Sequence, residues 1–243
     1  MRIFTIPGLN VEFLQHSSSQ AVCEDAYYLY TKVVSGILET TASPLPKDEL
    51  LPISNLSSRR EYRVLDLGTG NGILLLMLAK DFQDLYYTGI EIIKELCEIA
   101  VSNFDKLCEY LNRKLNYRIL NADYSGLENI LNDEKFDLII SNPPYNSKGT
   151  GRMSSDMIKA TSKMELTASL GQLLHSIRNY LANEGRSFII FPFCRSDEFE
   201  VCCNSLTLKI KSFVYIDYLT KSYHIDLEKV NSKTKIIYEV IHA

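Results

Sequence analysis

Two short segments of this 243-residue chain bring together residue types that can do chemistry. One is Asn142-Pro143-Pro144-Tyr145, which follows the branched apolar run Phe136-Asp-Leu-Ile-Ile140 and Ser141. A carboxamide oxygen accepts from an N–H, and prolines, with fixed φ and no donor, stiffen a loop and leave its carbonyls free to accept. The tyrosine ring adds a stacking surface. Together they can hold a planar amine. The other segment is Asp66-Leu67-Gly68-Thr69-Gly70-Asn71-Gly72, whose glycines allow a sharp turn and close approach of backbone to a ligand.

Such a turn also occurs in dinucleotide-binding folds. Here the third glycine of a G-x-G-x-x-G pattern would fall at Ile73, so that pattern fails. Asp66 also precedes the glycines, where it would repel a pyrophosphate but suit an ammonium or sulfonium cation. The expected cofactor is therefore S-adenosyl-L-methionine, with Gly68, Thr69, Gly70, Asn71 and Gly72 forming its cradle. Glu91, closing Tyr87-Thr-Gly-Ile-Glu91, is placed to accept from ribose hydroxyls, an acidic position that alone would suit NAD equally. In Leu120-Asn-Ala122-Asp123, the Asp123 carboxylate could accept from an adenine amino group while the Ala122 N–H bonds the ring. Taken singly, Glu91 could be a solvated strand end and Asp123 a turn or cap. With Asn142 beside it, the whole set points to methyl transfer to a nitrogen.

These residues need a frame of alternating strands and helices. Apolar runs predict strands near 63–67, 86–91, 117–121, 136–141 and 187–191, and helical spacing predicts helices over 72–80, 93–111 and 165–182. Gly185 is expected to end the third helix. An earlier helix fits 21–38, followed by a connection broken at Pro44, Pro46 and Pro52. Two late strands, 212–219 and 235–241, read as an antiparallel hairpin at the far edge. The predicted architecture is α/β: a Rossmann-like, mostly parallel seven-stranded sheet with helices on both faces. Residues 1–62 are expected to form an N-terminal helical extension and connection, and 63–243 the S-adenosylmethionine-binding domain.

Asp66–Gly72 followed by Asn142–Tyr145 resembles the class I S-adenosylmethionine-dependent methyltransferases that methylate amines on adenine, cytosine, guanine or glutamine. The flanks are closer still: Ser141–Arg152 and Pro192-Phe-Cys-Arg195 are similar to the bacterial valine-tRNA (adenine 37) N6-methyltransferase family, and Lys163-Met-Glu165 stands where that family usually has Arg-His-Glu. The family's Val-Gly-Thr-Asp stands here as Val22-Cys23-Glu24-Asp25, and an aromatic that often follows the tyrosine is Asn146. The resemblance implies N6-adenine methylation of RNA, near a tRNA anticodon. It implies that the Asn142 oxygen and the Pro143 carbonyl accept the amine protons, Pro144 stiffens the loop and Tyr145 stacks on an extruded base. No metal is required.

Charge gives this reading a direction. Residues 1–145 hold 13 Lys/Arg against 20 Asp/Glu, and residues 146–243 hold 13 against 10, so a polyanion is expected to meet the later half. Lys148, Arg152, Lys159, Lys163 and Arg195 are the candidate phosphate contacts. The six cysteines contain no Cys-x-x-Cys pair and the four histidines no spaced pair, which argues against a metal site. Without a signal-like apolar core or a membrane-length run, a cytoplasmic, membrane-free protein is expected, with a monomer favoured. Two rival functions stand beside this one. They are protein-glutamine N5 methylation, whose enzymes resemble a core preceded by a larger helical domain, and a non-catalytic cofactor-binding RNA-interaction module.

Overall fold

The computed structural model describes residues 1–16, 24–41, 61–124, 126–143, 170–217, 222–224 and 234–243. The chain opens with a hairpin, β1 (Arg2–Thr5) and β2 (Glu12–Gln15), then α1 (Glu24–Thr41). Alternation follows: β3 (Arg63–Leu67), α2 (Ile73–Asp81), β4 (Tyr86–Glu91), α3 (Lys94–Leu111), β5 (Asn116–Asn121), the short α4 (Glu128–Leu131) and β6 (Phe136–Ser141). Next come α5 (Leu170–Tyr180), β7 (Leu181–Pro192), α6 (Ser196–Ser205), β8 (Leu208–Asp217), β9 (Ser222–His224) and β10 (Lys235–His242).

The main sheet runs β5-β4-β3-β6-β7-β10-β8-β9. Its first five strands are parallel, and β10 is antiparallel to both β7 and β8. The expected architecture is therefore present, with the three-residue β9 as an added edge strand. Within the late pair, β10 lies inside and β8 outside. Ile236, Ile237, Tyr238 and Val240 are all buried, so β10 is apolar on both faces and needs cover on both. β8, by contrast, exposes Lys209, Lys211 and Phe213.

Side chains alternate between two apolar layers, as strand geometry requires. Val64, Leu138, Ile140, Phe188 and Ile237 face α1, α2, α3 and the hairpin, while Leu65, Leu67, Ile139, Ile189 and Tyr238 face α4, α5 and α6. On the first layer a buried polar cluster ties α1 to the sheet. Glu239 accepts from Arg186 Nε at 2.7 Å and Ser212 Oγ at 2.7 Å, and Lys211 Nζ lies 3.0 Å away. Arg186 also donates to the Gly36 carbonyl of α1. A Cβ on Gly36 would stand 2.7 Å from the Phe188 ring, so only glycine lets the helix come this close.

Two expectations are corrected. The third helix ends at Tyr180, and Gly185 lies inside β7, where a Cβ would meet Phe136 O and Ala182 O at 3.0 Å. The pairing with β6 slips there, from Phe136↔Leu181 to Leu138↔Arg186, and glycine admits the crowded backbone. The segment before Arg63 holds the β1–β2 hairpin as well as a helix. No helix among the described residues is long and apolar enough to cross a membrane.

Candidate active site

From β3 the chain moves outward to β4 and β5 on one side, whereas β6 pairs with the other side of β3. Ligands of open α/β sheets bind at such a reversal, beyond the carboxyl ends of the strands. Asp66 and Asn142 stand at those ends. The β3–β6 register runs to Asp66↔Ile140, and beyond it the buried Ser141 hydroxyl donates to the Leu67 carbonyl at 2.7 Å. That bond ties the start of the glycine turn to the residue before Asn142.

Gly68, Gly70 and Gly72 all have left-handed φ, of 81°, 57° and 83°. A Cβ at Gly68 or Gly70 would meet nothing within 4 Å, so these two glycines border open space and are required by conformation, not by crowding. Gly72 instead packs on α3, where a Cβ would stand 3.3 Å from that of Ala100. The N–H groups of Gly68 and Thr69 both donate to the Ile90 carbonyl at 2.9 Å. Glu91 completes the anchoring: Oε2 accepts the Gly70 N–H and Oε1 the Ile93 N–H, each at 2.9 Å.

Asp66 is 1% exposed and neither carboxylate oxygen has a hydrogen-bond partner. Burial pushes its carboxyl up to about 7; the Thr69 hydroxyl beside it pulls the other way without a well-formed bond, and Glu91 adds repulsion. The Thr69 hydroxyl and the Asn71 Nδ2 are likewise buried and unpartnered. Buried polar groups are normally satisfied, and leaving one unmade costs about 1–3 kcal/mol. Three such groups on one turn, a carboxylate among them, fit a ligand that brings a cation and hydrogen-bonding groups. An S-adenosylmethionine molecule offers both.

The other predicted positions divide into three. Asn142 is half-buried and Pro143 buried at the end of β6, next to the turn, and Asp123 is half-buried just past β5. Pro144, Tyr145, Lys148, Arg152, Lys159, Lys163, Val22 and Cys23 lie outside the described residues. The remaining three residues are bonded within the chain, and the assignment of Ala122 needs correction. The Ala122 N–H donates to the Glu91 carbonyl at 3.0 Å, so that donor is committed within the sheet and not to an adenine ring. Glu91 uses one lone pair of each oxygen on backbone, which makes it a turn anchor with only residual capacity for ribose. Arg195 is held in a bidentate pair by Glu198, with both bonds at 2.8 Å, and stacks 4.8 Å from the Phe191 ring centroid. Glu198 thus matches its charge in the ligand-free chain.

Several polar residues make contacts that gave no sequence signal. Asn103 of α3 is fully buried and bonds the backbone of both Leu14 and Asn71. Asn121 Nδ2 donates to the carbonyls of Glu91 and Ile92, each at 2.9 Å. Asp25, at the start of α1, is buried in an ion pair with Lys235 of β10. Each has a partner remote in the chain, so the contact was not readable even where, as at Asp25, the family resemblance named the residue. Among the described residues no three His, Cys, Asp or Glu side chains cluster as metal ligands.

Comparison with known proteins agrees with this geometry. The methyltransferase small domain family matches residues 48–188. A tRNA1(Val) (adenine(37)-N6)-methyltransferase of Flavobacteriaceae bacterium strain 3519-10 is 31% identical over 73% of this chain and 73% of its own length. One of the same name from Parabacteroides distasonis is 35% identical over 56% of this chain, which spans about half (54%) of that relative. A release factor glutamine methyltransferase of Fusobacterium nucleatum is 28% identical over 61% of this chain and 40% of its own length. Among solved structures, the precorrin-6y C5,15-methyltransferase of Geobacter metallireducens shares the fold, with TM-score 0.52, 10% identity and coverage of 95% and 93%. Turn, sheet reversal and matches coincide on the same stretch of chain, and the chain belongs to the methyltransferase small domain family, alongside the proteins named tRNA1(Val) (adenine(37)-N6)-methyltransferase.

Proposed function

We propose that this protein is an S-adenosylmethionine-dependent N6-adenine methyltransferase acting on RNA, with adenine 37 of a valine tRNA as its target. The observation that carries the reading is the juxtaposition of the unpartnered Asp66 carboxylate and the Asn142-Pro143 step across one sheet reversal, joined by the Ser141–Leu67 hydrogen bond. Relatives at 31% and 35% identity are named for that reaction. Residues 63–243 act as the methyltransferase unit and 1–62 as its N-terminal extension, working in the cytoplasm on tRNA.

S-adenosylmethionine, when bound, supplies an electrophilic methyl group. Asp66 meets the cofactor's positive charge, Thr69 and Asn71 supply hydroxyl and amide, and Asp123 takes the adenine end. An exocyclic amine on adenine is a poor nucleophile because its lone pair is delocalised into the ring. The Asn142 side-chain oxygen and the Pro143 carbonyl accept its two protons and favour a pyramidal nitrogen, with its lone pair directed at the methyl group. Tyr145 supports the extruded base by stacking. Positioning and desolvation carry the rate, and no strong base is needed, since the nitrogen becomes acidic only after transfer.

Labelled S-adenosylmethionine incubated with unmodified total RNA and with protein extract tests the reading. N6-methyladenosine in the tRNA fraction is expected. Methylglutamine in protein would establish the glutamine alternative, and cofactor binding without transfer to either would establish the non-catalytic module.

A further inference from the structure

The side chain of Asn103 makes three hydrogen bonds while fully buried in α3. Its Oδ1 accepts the Leu14 N–H at 2.7 Å, and its Nδ2 donates to the Leu14 carbonyl at 2.9 Å and to the Asn71 carbonyl at 3.0 Å. A lone N–H on one side and two carbonyls on the other fix which way the amide points. Leu14 pairs with Ile3 in the hairpin, yet both of its backbone groups face α3. The Asn103 carboxamide thus stands in for a strand's peptide group and completes the outer edge of β2. The same nitrogen grips the turn that holds Asp66, Thr69 and Asn71.

Two other facts strengthen the connection. α3 touches the turn a second time one helical turn earlier, where Ala100 packs against Gly72. An isolated hairpin of two four-residue strands is marginal in water, so β1–β2 depends on docking through Phe13 and through this amide. We propose that Asn103 is a positioning residue that couples docking of the β1–β2 hairpin to the shape of the cofactor turn, so that hairpin order and S-adenosylmethionine binding support each other. The inference rests on the cofactor reading above. Linkage then requires reciprocity: a ligand that steadies the Asn71 backbone strengthens hairpin docking by the same factor with which docking strengthens the ligand.

Amide hydrogen exchange at Leu14, with and without saturating S-adenosylmethionine, tests this in the unaltered protein. Exchange there is expected to slow by on the order of fivefold or more when the cofactor is added, because local opening of the hairpin becomes costlier. Asn103→Ala should weaken cofactor affinity about tenfold and abolish that response, while the Val240 amide in β10 stays protected and reports an intact fold. Cofactor binding to the unaltered protein with no change at Leu14 would overturn the coupling, as would a folded Asn103→Ala that binds like the parent. If the variant does not fold, exchange in the parent decides alone. A parent that binds no S-adenosylmethionine would instead overturn the cofactor assignment, and the coupling with it.

Discussion

The Glu91 carboxylate meets the Gly70 N–H at 2.9 Å across 21 residues of chain, and its second oxygen takes the Ile93 N–H at the same distance. One side chain at the end of β4 therefore shapes both the glycine turn and the entry to α3. Glu91→Gln keeps one acceptor oxygen and turns an N–H donor toward another. It is expected to lose about 1.5–3 kcal/mol of this anchoring, roughly tenfold or more in cofactor affinity, together with thermal stability. Calorimetric titration and melting of the same sample check this; unaltered affinity would show that the turn keeps its shape without the carboxylate.

Asp66 carries a pH signature. Its folded carboxyl titrates near 7 against an ordinary 3.8, so the folded protein holds a proton that the unfolded chain releases. Stability of the ligand-free protein should fall as pH rises from about 4 to 7 and then level off. A cationic ligand favours the charged carboxylate, so S-adenosylmethionine affinity should rise over the upper part of that window, with proton release on binding. Asp66→Asn should bind weakly with no such pH dependence. Titrations in buffers of different ionisation enthalpy measure the released proton directly.

At the catalytic loop, Asn142→Ala should abolish turnover while cofactor affinity stays within a factor of about two to three, because its oxygen is assigned to the target amine. Tyr145→Ala should cripple methylation and Tyr145→Phe retain most of it, since base stacking on an aromatic face is worth about 1–3 kcal/mol. Single-turnover rates separate these effects from RNA binding. Equal damage from phenylalanine and alanine would give the role to the hydroxyl.

Lys148→Ala and Arg152→Ala should each weaken RNA binding without changing which base is methylated, and should flatten the log-affinity against log-salt slope by roughly 0.7–0.9. Lys32→Ala and Lys94→Ala, in the acidic half, should not. Arg195→Ala joins that second set, because Glu198 already neutralises it and Phe191 covers its face. Salt slopes that fall equally for both sets would place the RNA path elsewhere.

Glu239 predicts behaviour in acid. Burial alone would raise its carboxyl, but hydrogen bonds from Arg186, Ser212 and Lys211 outweigh it and bring the value to about 2. Its contribution is present above the unfolded value of about 4.5 and is lost as pH falls from there toward 2. Glu239→Gln should cost about 3–5 kcal/mol at neutral pH, because Arg186 is left buried without its counter-charge, and should remove this part of the acid transition. Denaturant unfolding at pH 7, 4 and 3 measures both.

The strands that surround the site were readable because a buried parallel strand is dominated by apolar residues, as Val64–Leu67 and Phe136–Ile140 are, each interrupted by a single aspartate. The turn was readable because left-handed backbone at Gly68, Gly70 and Gly72 needs glycine. What stayed hidden has one physical origin. Asn103, Arg186 and Glu239 are polar residues whose partners lie 27 to 150 residues away, and a polar side chain looks the same in sequence whether it is solvated or buried in a network. Arg195 shows the same ambiguity in reverse, since a cation matched by Glu198 is indistinguishable in sequence from one awaiting phosphate. Gly185 misled because a glycine that ends a helix and one that admits a neighbouring backbone are spelled alike.

The position of β10 between β7 and β8 bears on how the chain reaches this structure during synthesis. Asp25 finds Lys235 across 210 residues, and the Arg186 that grips Gly36 is neutralised by Glu239 on the same late strand. α1 leaves the ribosome early, but the ion pair of Asp25 and the neutralisation of Arg186 beneath it wait until β10 arrives. Until then β7 presents a bare edge, a template for pairing with another copy. Nascent chains stalled before Lys235 should therefore be the aggregation-prone species, and a chaperone that shields the β7 edge should raise the yield of folded protein more than one that acts on the completed chain.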